Sequence, residues 1–344
     1  MSIFLFSVIV PTYNRSDEVL ALIQSLTRQT IDHRQFEVLL VDDGSTDDTS
    51  AQVAELQQKV DFRLRFFQRR HEGPGPARNY GMAQAEGDYF LFIDSDCLAD
   101  RDWLAALASA IEKQKPDAFG GPDGVLPEFT PLQKAIDYAM TSFITTGGMR
   151  GHSRKRLAKF YPRSFNMGIR RTIFEQLGGM NQLRHGQDLE FSRRIIASGA
   201  RVIYIPDARV YHKRRTSLRK FFRQMFNWGV ARINLTILDS GILEPLHFAP
   251  AIASVGYTLL ALFSLLTGRV REIWLGATSL ALLVLGIILI DSTRRYRSLW
   301  VGLLAPVLSL CQIFAYGYGF TYNYIRRNIL RRGETAGFVK RYYQ

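Results

Sequence analysis

Tyr89-Phe90-Leu91-Phe92-Ile93-Asp94-Ser95-Asp96 is the stretch whose reading decides the fold. A continuous apolar run is the pattern of a strand buried on both faces. Side chains on a strand alternate with period two, so Asp94 and Asp96 project from one side if the strand extends that far. Two carboxylates on one side suit a hard divalent cation such as Mg or Mn, which takes oxygen ligands and fills its shell with phosphate oxygens. An isolated acid-x-acid triplet is more often a solvated turn, so its meaning depends on its surroundings.

Those surroundings repeat the same design. Phe4 to Val10 is an apolar run closed by Pro11, Thr12, Tyr13 and Asn14, followed by a helix from Ser16 with Val19, Leu22, Ile23 and Leu26 at helical spacing. Phe36 to Val41 ends in Asp42-Asp43-Gly44-Ser45, and Thr46 or Asp47 is placed to cap the next helix. Leu64 to Phe67 is a third strand, and Gly73 to Pro76 leads into a helix over Ala77 to Ala85. Alternation of strand and helix predicts an α/β fold with a doubly wound, mostly parallel sheet. In such sheets ligands bind at the carboxyl ends of the strands, so the loops at 11–14, 42–45 and 94–96 are expected to face one crevice.

Beyond Asp96 the spacing predicts a helix over Arg101 to Glu112, strands at Ala118 to Gly120, Arg201 to Ile205 and Ala208 to Tyr211, the last ending at His212, and, after the unassigned stretch Phe165 to Arg171, a helix start at Thr172. Gly147 to Arg156 reads as a mobile basic loop. Asp188 opens a helix over 188–198, where a carboxylate is stabilised by the dipole and commonly caps. Ser217 to Leu235 is amphipathic, with Phe221, Phe222, Met225, Phe226 and Trp228 interleaved with Arg219, Lys220 and Arg223. Such a helix lies either along lipid headgroups or against a core.

The chain has 344 residues and a formal net charge of +13, and its mean hydropathy of -0.05 averages two unlike parts. Three apolar segments, about 246–266, 273–290 and 299–325, approach the ~20 residues that cross a ~30 Å hydrocarbon core. Cations flank them, as anionic headgroups require. Neither a zinc-finger spacing nor a recognition-helix pattern is present, so nucleic acid is an unlikely partner and membrane lipids the expected one. The 2 cysteines, Cys97 and Cys311, offer no disulfide framework. The segments divide the chain into a catalytic domain at 1–212, an interfacial helix and linker at 213–245, a membrane domain at 246–325 and a basic tail at 326–344. A single crossing by the third segment would put the tail opposite the first domain, against the positive-inside rule; Pro306, Gly317 and Gly319 are the points where it would break and return.

The polar loops suit a nucleotide diphosphate sugar. Thr12, Asp43 and Asp94 are candidates for the nucleoside, Asp96 and His212 for a metal, and Arg78 for phosphate. Asp188 is the candidate base, because a sugar hydroxyl is a poor nucleophile until a carboxylate removes its proton. A polyprenyl phosphate is already an anion and needs no such base, so Asp188 favours a hydroxyl acceptor. Taken together, Pro11-Thr12-Tyr13-Asn14, Asp42-Asp43-Gly44-Ser45, Ala77-Arg78-Asn79, Asp94-Ser95-Asp96, Asn166-Met167-Gly168 and Gln187-Asp188 resemble family 2 of the inverting glycosyltransferases over residues 3 to 230. With the apolar segments, the chain is similar to membrane-anchored enzymes that build bacterial exopolysaccharide on lipid carriers, the succinoglycan type among them.

The resemblance implies a GT-A fold, with Pro11 to Asn14, Asp43, Arg78 and Asp94 on the nucleotide sugar, a UDP-sugar by expectation. It further implies Asp96 and His212 on Mg or Mn, Asp188 as base, and Asn166, Gln187, Gln224 and Trp228 on the acceptor or product side. The acceptor is then a lipid-linked saccharide and the location a bacterial inner membrane, with the catalytic domain on the cytoplasmic face. Two departures stand out. Gln187 replaces the usual Glu before the base, and Gln224 to Trp228 lacks the Arg of the Gln-x-x-Arg-Trp motif of processive synthases. The second favours addition of one sugar over polymer extrusion. A polyprenyl-phosphate transferase, a processive synthase and an inactive membrane scaffold are the alternatives.

Overall fold

The computed structural model describes residues 4–126, 128–147, 160–181, 183, 186–236, 241 and 243–333. The loop expected at 147–156 lies outside the described residues from 148 onward, as does the tail from 334 onward. The described residues fall into two compact units, one drawn from Met1–Gly124 and Phe160–Lys213, the other from Val125–Lys159 and Arg214–Arg341. The first unit extends to Lys213, and the described residues of 125–147 group with the second unit.

The first unit is built on a seven-stranded sheet in the order β3-β2-β1-β4-β8-β6-β9. Strands β1 (Phe4–Thr12), β2 (Phe36–Asp42), β3 (Arg63–Gln68) and β4 (Gly87–Phe92) run parallel. Strand β8 (Met167–Arg170) runs antiparallel to both β4 and β6 (Ala118–Gly120), and β9 (Val202–Tyr204) closes the edge. Side-chain alternation sends Val8, Val10, Leu91 and Val38 to one face and Ile9, Phe90, Phe92 and Leu39 to the other. Helices α1 (Ser16–Leu26) and α4 (Trp103–Gln114) cover the first face with Leu22, Ile23, Trp103 and Leu107. The second face is covered from α3 (Pro74–Gln84), α7 (Arg171–Leu177) and α8 (Gln187–Ala197) by Met82, Ile173, Phe191 and Ile195. Each such side chain contributes about 1.5–3 kcal/mol by leaving water. Helix α2 (Thr49–Gln57) packs beside α1, and Asp47 rather than Thr46 bonds its first turn, accepting from Thr49 N–H at 3.2 Å.

A small second sheet does most to shape the site. Strand β5 (Cys97–Ala99) pairs antiparallel with β10 (Val210–His212), which pairs parallel with β7 (Asp123–Gly124). Strand β4 ends at Phe92, and Cys97 N–H bonds Asp94 O at 3.0 Å in a turn. Asp94 and Asp96 therefore do not share a strand face as alternation alone would have it. The chain turns between them because β5 must reverse to meet β10.

The second unit is helical. Helix α5 (Pro131–Thr141) opens on a capping box between Thr130 and Gln133 and is followed by the single turn α6 (Phe143–Thr146). Helix α9 (Leu218–Leu235) is capped by Ser217, buries Phe221, Met225, Val230 and Ile233, and leaves Leu218, Arg219 and Lys220 exposed. Helices α10 (Ala249–Thr267), α11 (Arg271–Tyr296) and α12 (Leu299–Tyr324) lie in segments long and apolar enough to cross a membrane. Of the two courses the sequence leaves open for the third segment, α12 takes the unbroken one and runs through Pro306, Gly317 and Gly319. A proline costs one backbone donor, whereas the glycines serve close packing: a Cβ on Gly317 would lie 2.0 Å from Ser254 Oγ, and one on Gly319 2.2 Å from Phe226 O. Arg214 donates to Asp137 Oδ1 at 2.6 Å and Tyr296 to Asp137 Oδ2 at 2.6 Å, which neutralises a carboxylate buried in this unit.

Candidate functional site

The loops after β1, β2, β3 and β4 meet at the carboxyl end of the parallel strands. Pro11 and Thr12 finish β1, and Thr12 is buried with its Oγ1 unbonded. Asn14 adopts φ 50°, a left-handed conformation that Asn tolerates better than most residues. There its Oδ1 accepts from Thr46 N at 2.7 Å, while its own N–H bonds Ser45 Oγ at 2.7 Å. Asn14 thus ties the first loop to the second. Asp42 turns back on Ser45, accepting from its N–H and hydroxyl. Asp43 instead faces the third loop: it accepts from Glu72 N at 2.8 Å, Gly73 N at 2.9 Å and His71 Nδ1 at 2.9 Å. Tyr13 stacks on His71 with ring centroids 4.3 Å apart, so an aromatic platform stands beside a buried carboxylate. Gly73 takes φ 101° to let the chain enter α3.

The acids of 94–96 have separate cationic partners. Arg78, buried on the first turns of α3, donates from Nη2 to Asp94 Oδ1. Asp96 accepts from Arg15 Nη1 at 2.6 Å, and its other oxygen lies 3.2 Å from His212 Nε2. The antiparallel register that pairs His212 with Cys97 brings that imidazole to the acid, and Lys213 N–H bonds Asp96 O at 3.1 Å. Burial pushes the Asp96 carboxyl up, but His212 and Arg15 outweigh it and hold the group below the usual carboxylate range.

Among the described residues, Asp96, Cys97 and His212 offer ligand atoms within 4.8 Å of one another. A carboxylate and an imidazole side by side fit Mn or Mg completed by phosphate oxygens. Burial, with Asp96, Asp94 and Asp123 nearby, drives the Cys97 thiol well up, and a soft sulfur donor suits hard Mg or Mn less well than the carboxylate and imidazole beside it. His212 Nδ1 is buried without a hydrogen-bond partner, and Phe165 packs its ring at 5.3 Å.

Asp188 sits in the first turn of α8, after Gly186 at φ 78°; its Oδ1 accepts from Leu189 N at 2.9 Å, and Arg163 Nη1 lies 3.7 Å from Oδ2. Gln187 is buried, its amide lying over Gly75 of α3: a Cβ on Gly75 would be 2.4 Å from Gln187 Nε2. Asn166 is buried with its amide fully committed, accepting from Trp103 Nε1 at 3.0 Å and donating to Pro122 O at 3.1 Å and Ala208 O at 2.8 Å. It braces the β6–β7 and β9–β10 connections and has no donor left to offer an acceptor. Gln224 and Trp228 lie on α9, in the second unit.

The profile described as Glycosyl transferase family 2 matches residues 7–178, half of the chain. The chain belongs to glycosyl transferase family 2. Over 150 residues it is 34% identical to the poly(ribitol-phosphate) beta-N-acetylglucosaminyltransferase TarS of Staphylococcus aureus, a match covering 40% of this chain and 26% of TarS. The chain thus spans about a quarter of that relative's length. A Methanococcus voltae enzyme, dolichyl N-acetyl-alpha-D-glucosaminyl phosphate 3-beta-D-2,3-diacetamido-2,3-dideoxy-beta-D-glucuronosyltransferase, is 24% identical over 331 residues, covering 94% of this chain and 98% of its own. Among solved structures, the mannosyltransferase PcManGT from Pyrobaculum calidifontis, in complex with GDP-Man and Mn2+, superposes with a TM-score of 0.62 at 21% identity. That superposition covers 89% of this chain and 86% of PcManGT and carries the fold.

The motif residues at 11–14, 42–45 and 94–96 lie at strand ends and those at 77–79 and 187–188 on helices α3 and α8, yet four partners at the site were not singled out by sequence. Arg15 directly follows the Asn14 motif, and its position after a strand end was the available signal. His71 lies in a loop of mixed charge with no motif of its own. Arg163 and Asn79 reach Asp188 and its loop through folding alone, although Asn79 stands beside Arg78 in the quoted triplet.

Proposed function

We propose that this family 2 glycosyltransferase moves one sugar from a nucleotide diphosphate sugar, UDP by preference, to a hydroxyl of a lipid-linked saccharide, with inversion and with Mg or Mn. The reading rests on Asp96 and His212, 3.2 Å apart at the carboxyl end of the parallel strands, in a fold that has a separate carboxylate, Asp188, on another element. Tyr13 and Asp43 suit a base with an exposed ring face and an imide N–H, Thr12 and Asn14 border it, and Asp94 suits the ribose or donor sugar. Asp96 and His212 would hold the metal, which when bound offsets diphosphate charge and stabilises the departing nucleotide. Arg78 and Arg15 supply further positive charge at the leaving group.

Asp188 takes the proton of the acceptor hydroxyl as its oxygen bonds the anomeric carbon, and the bond from that carbon to the diphosphate oxygen breaks on the opposite face. One displacement gives one inversion. Gln187 holds the base turn against α3, and Asn166 braces the strands that carry the metal histidine. Gln224 and Trp228, with the exposed cations of α9, belong to the acceptor side, and the apolar helices anchor the chain in the membrane, with the catalytic unit in the cytoplasm.

The purified full chain in detergent should transfer radiolabel from a UDP-sugar to a lipid-linked saccharide with Mn present, and Asp188→Asn should abolish transfer. Retained transfer by Asp188→Asn to bare polyprenyl phosphate would overturn the hydroxyl-acceptor reading. Retention of anomeric configuration, read by NMR of the product, would overturn the single displacement.

A further inference from the structure

Helix α3 faces two ways at consecutive residues. Arg78 turns to Asp94, on the donor side, whereas Asn79 turns to the segment that precedes the base. Asn79 Nδ2 donates to Met180 O at 2.7 Å, and its Oδ1 accepts from Met180 N–H at 2.7 Å. A side-chain amide thereby pairs with both backbone groups of one residue, as a neighbouring strand would. The fit is close enough that a Cβ on Gly179 would stand 2.3 Å from Asn79 Oδ1.

The same segment is held from the other side by α8. Arg194 donates from Nη1 to Leu177 O at 2.9 Å and from Nη2 to Gly179 O at 2.7 Å, while Glu190 fixes its guanidinium at 2.6 Å. At its first turn α8 also touches α3 directly, through the Gln187 amide over Gly75. A path of side-chain bonds thus runs from α3 through Asn79 to Gly179 and Met180, and through Arg194 into α8, which carries Asp188. Helix α3 is itself pressed on the sheet, since a Cβ on Gly81 would lie 2.5 Å from Ile9 Cγ2. The path does not use 182, 184 or 185, and it needs no covalent connection between Met180 and Gln187.

We propose that Asn79 is a positioning residue for the reaction: it registers α8, and with it Asp188, against the helix that carries the donor-side arginine. The inference rests on Asp188 acting as base. A displacement of ~1 Å between base and reacting carbon costs ~10²-fold in rate, so Asn79 acts on kcat. Donor affinity stays with the strand-end loops, which Asn79 does not touch.

In the full chain, Asn79→Ala should lower kcat about 10²-fold with donor KM and Mn–UDP affinity within about twofold. Asn79→Asp keeps an acceptor for Met180 N–H and should fall between the two. Amides of 177–181 and 187–197 should exchange faster in Asn79→Ala while those of β1 do not. Unchanged kcat and unchanged exchange in Asn79→Ala would overturn the anchoring, as would a loss of Mn–UDP affinity equal to the loss in kcat. Full transfer by Asp188→Asn together with faster exchange in Asn79→Ala would overturn the base and leave the anchoring of α8 standing.

Discussion

Replacing Asn166 by Ala separates two accounts of that residue. As an acceptor ligand it would change binding of the second substrate and little else. As the brace seen here, it holds Trp103 Nε1–H, Pro122 O and Ala208 O from a position only 3% exposed. Three hydrogen bonds at about 1 kcal/mol each are lost, and the Trp103 indole N–H, on a fully buried ring, is left without a partner. The expected cost is about 3–5 kcal/mol, or roughly 10 °C in the apparent unfolding midpoint for a unit of this size. Pro122 O also accepts from Val210 N–H at 3.1 Å, so the loosening should reach β10 and weaken Mn–UDP binding through His212. Asn166→Asp keeps the acceptor for Trp103 but turns an oxygen toward two carbonyls, and it should destabilise at least as much. Thermal unfolding of the detergent-solubilised chain, with acceptor KM measured in parallel, decides the matter. Full thermal stability with a raised acceptor KM in Asn166→Ala would refute the brace.

Three further outcomes are expected. His212→Ala should weaken Mn affinity in the presence of UDP about tenfold or more, while Cys97→Ala, removing a soft donor that suits Mn poorly, should change it less than about threefold by calorimetry; the reverse order would make Cys97 the ligand. Gly168→Ala should destabilise the chain by about 1–3 kcal/mol, because the new methyl would lie 2.1 Å from Phe119 Cε2, and trimming Phe119 to Leu should restore part of the lost midpoint. The Tyr138 phenol is pushed up to about 12 by burial and by its bond to Asp291. A raised folded pKa means that its contribution to stability is intact below about pH 10 and is lost as pH climbs toward 12, so Tyr138→Phe should show a shallower alkaline decline in midpoint than the parent.

The parallel half of the sheet was legible because its strands are buried on both faces and therefore written as unbroken apolar runs: Phe4 to Val10, Phe36 to Val41 and Tyr89 to Ile93 each predict a strand that the fold contains. The small sheet was harder. The strand ending at His212 is written in the sequence, but Cys97 to Ala99 is too short to carry a period, and the pairing of the two depends on a contact between residues more than a hundred positions apart. The same limit separates Asp43 from its loop partners. The motif marks the acid, but only the fold shows that Glu72, Gly73 and His71 occupy it. A motif asparagine at a strand start reads as exposed chemistry, and nothing local announces that Trp103, Pro122 and Ala208 converge on the amide of Asn166. The course of α12 stays open in the sequence for a related reason. Glycine weakens an isolated helix, but at Gly317 and Gly319 it admits another backbone, which only the packing shows.

The turn between Asp94 and Asp96 has a consequence for how the site is charged. Had both acids stayed on one strand face, each would have felt the other's repulsion and both would have competed for one cation. The turn instead gives Asp94 to Arg78 on α3 and Asp96 to His212 on β10. These partners arrive from opposite faces of the unit's sequence order, one before the triplet and one well after it. The charges at Asp94 and Asp96 are thereby set by different elements, and a change that unseats one need not unseat the other. Helix α3 couples them back together, because the helix that pins Asp94 through Arg78 also holds the approach to Asp188 through Asn79. The acid pair is therefore less a single face than a junction, from which Asp96 leads to His212 and Asp94, through Arg78 and α3, to the segment before α8.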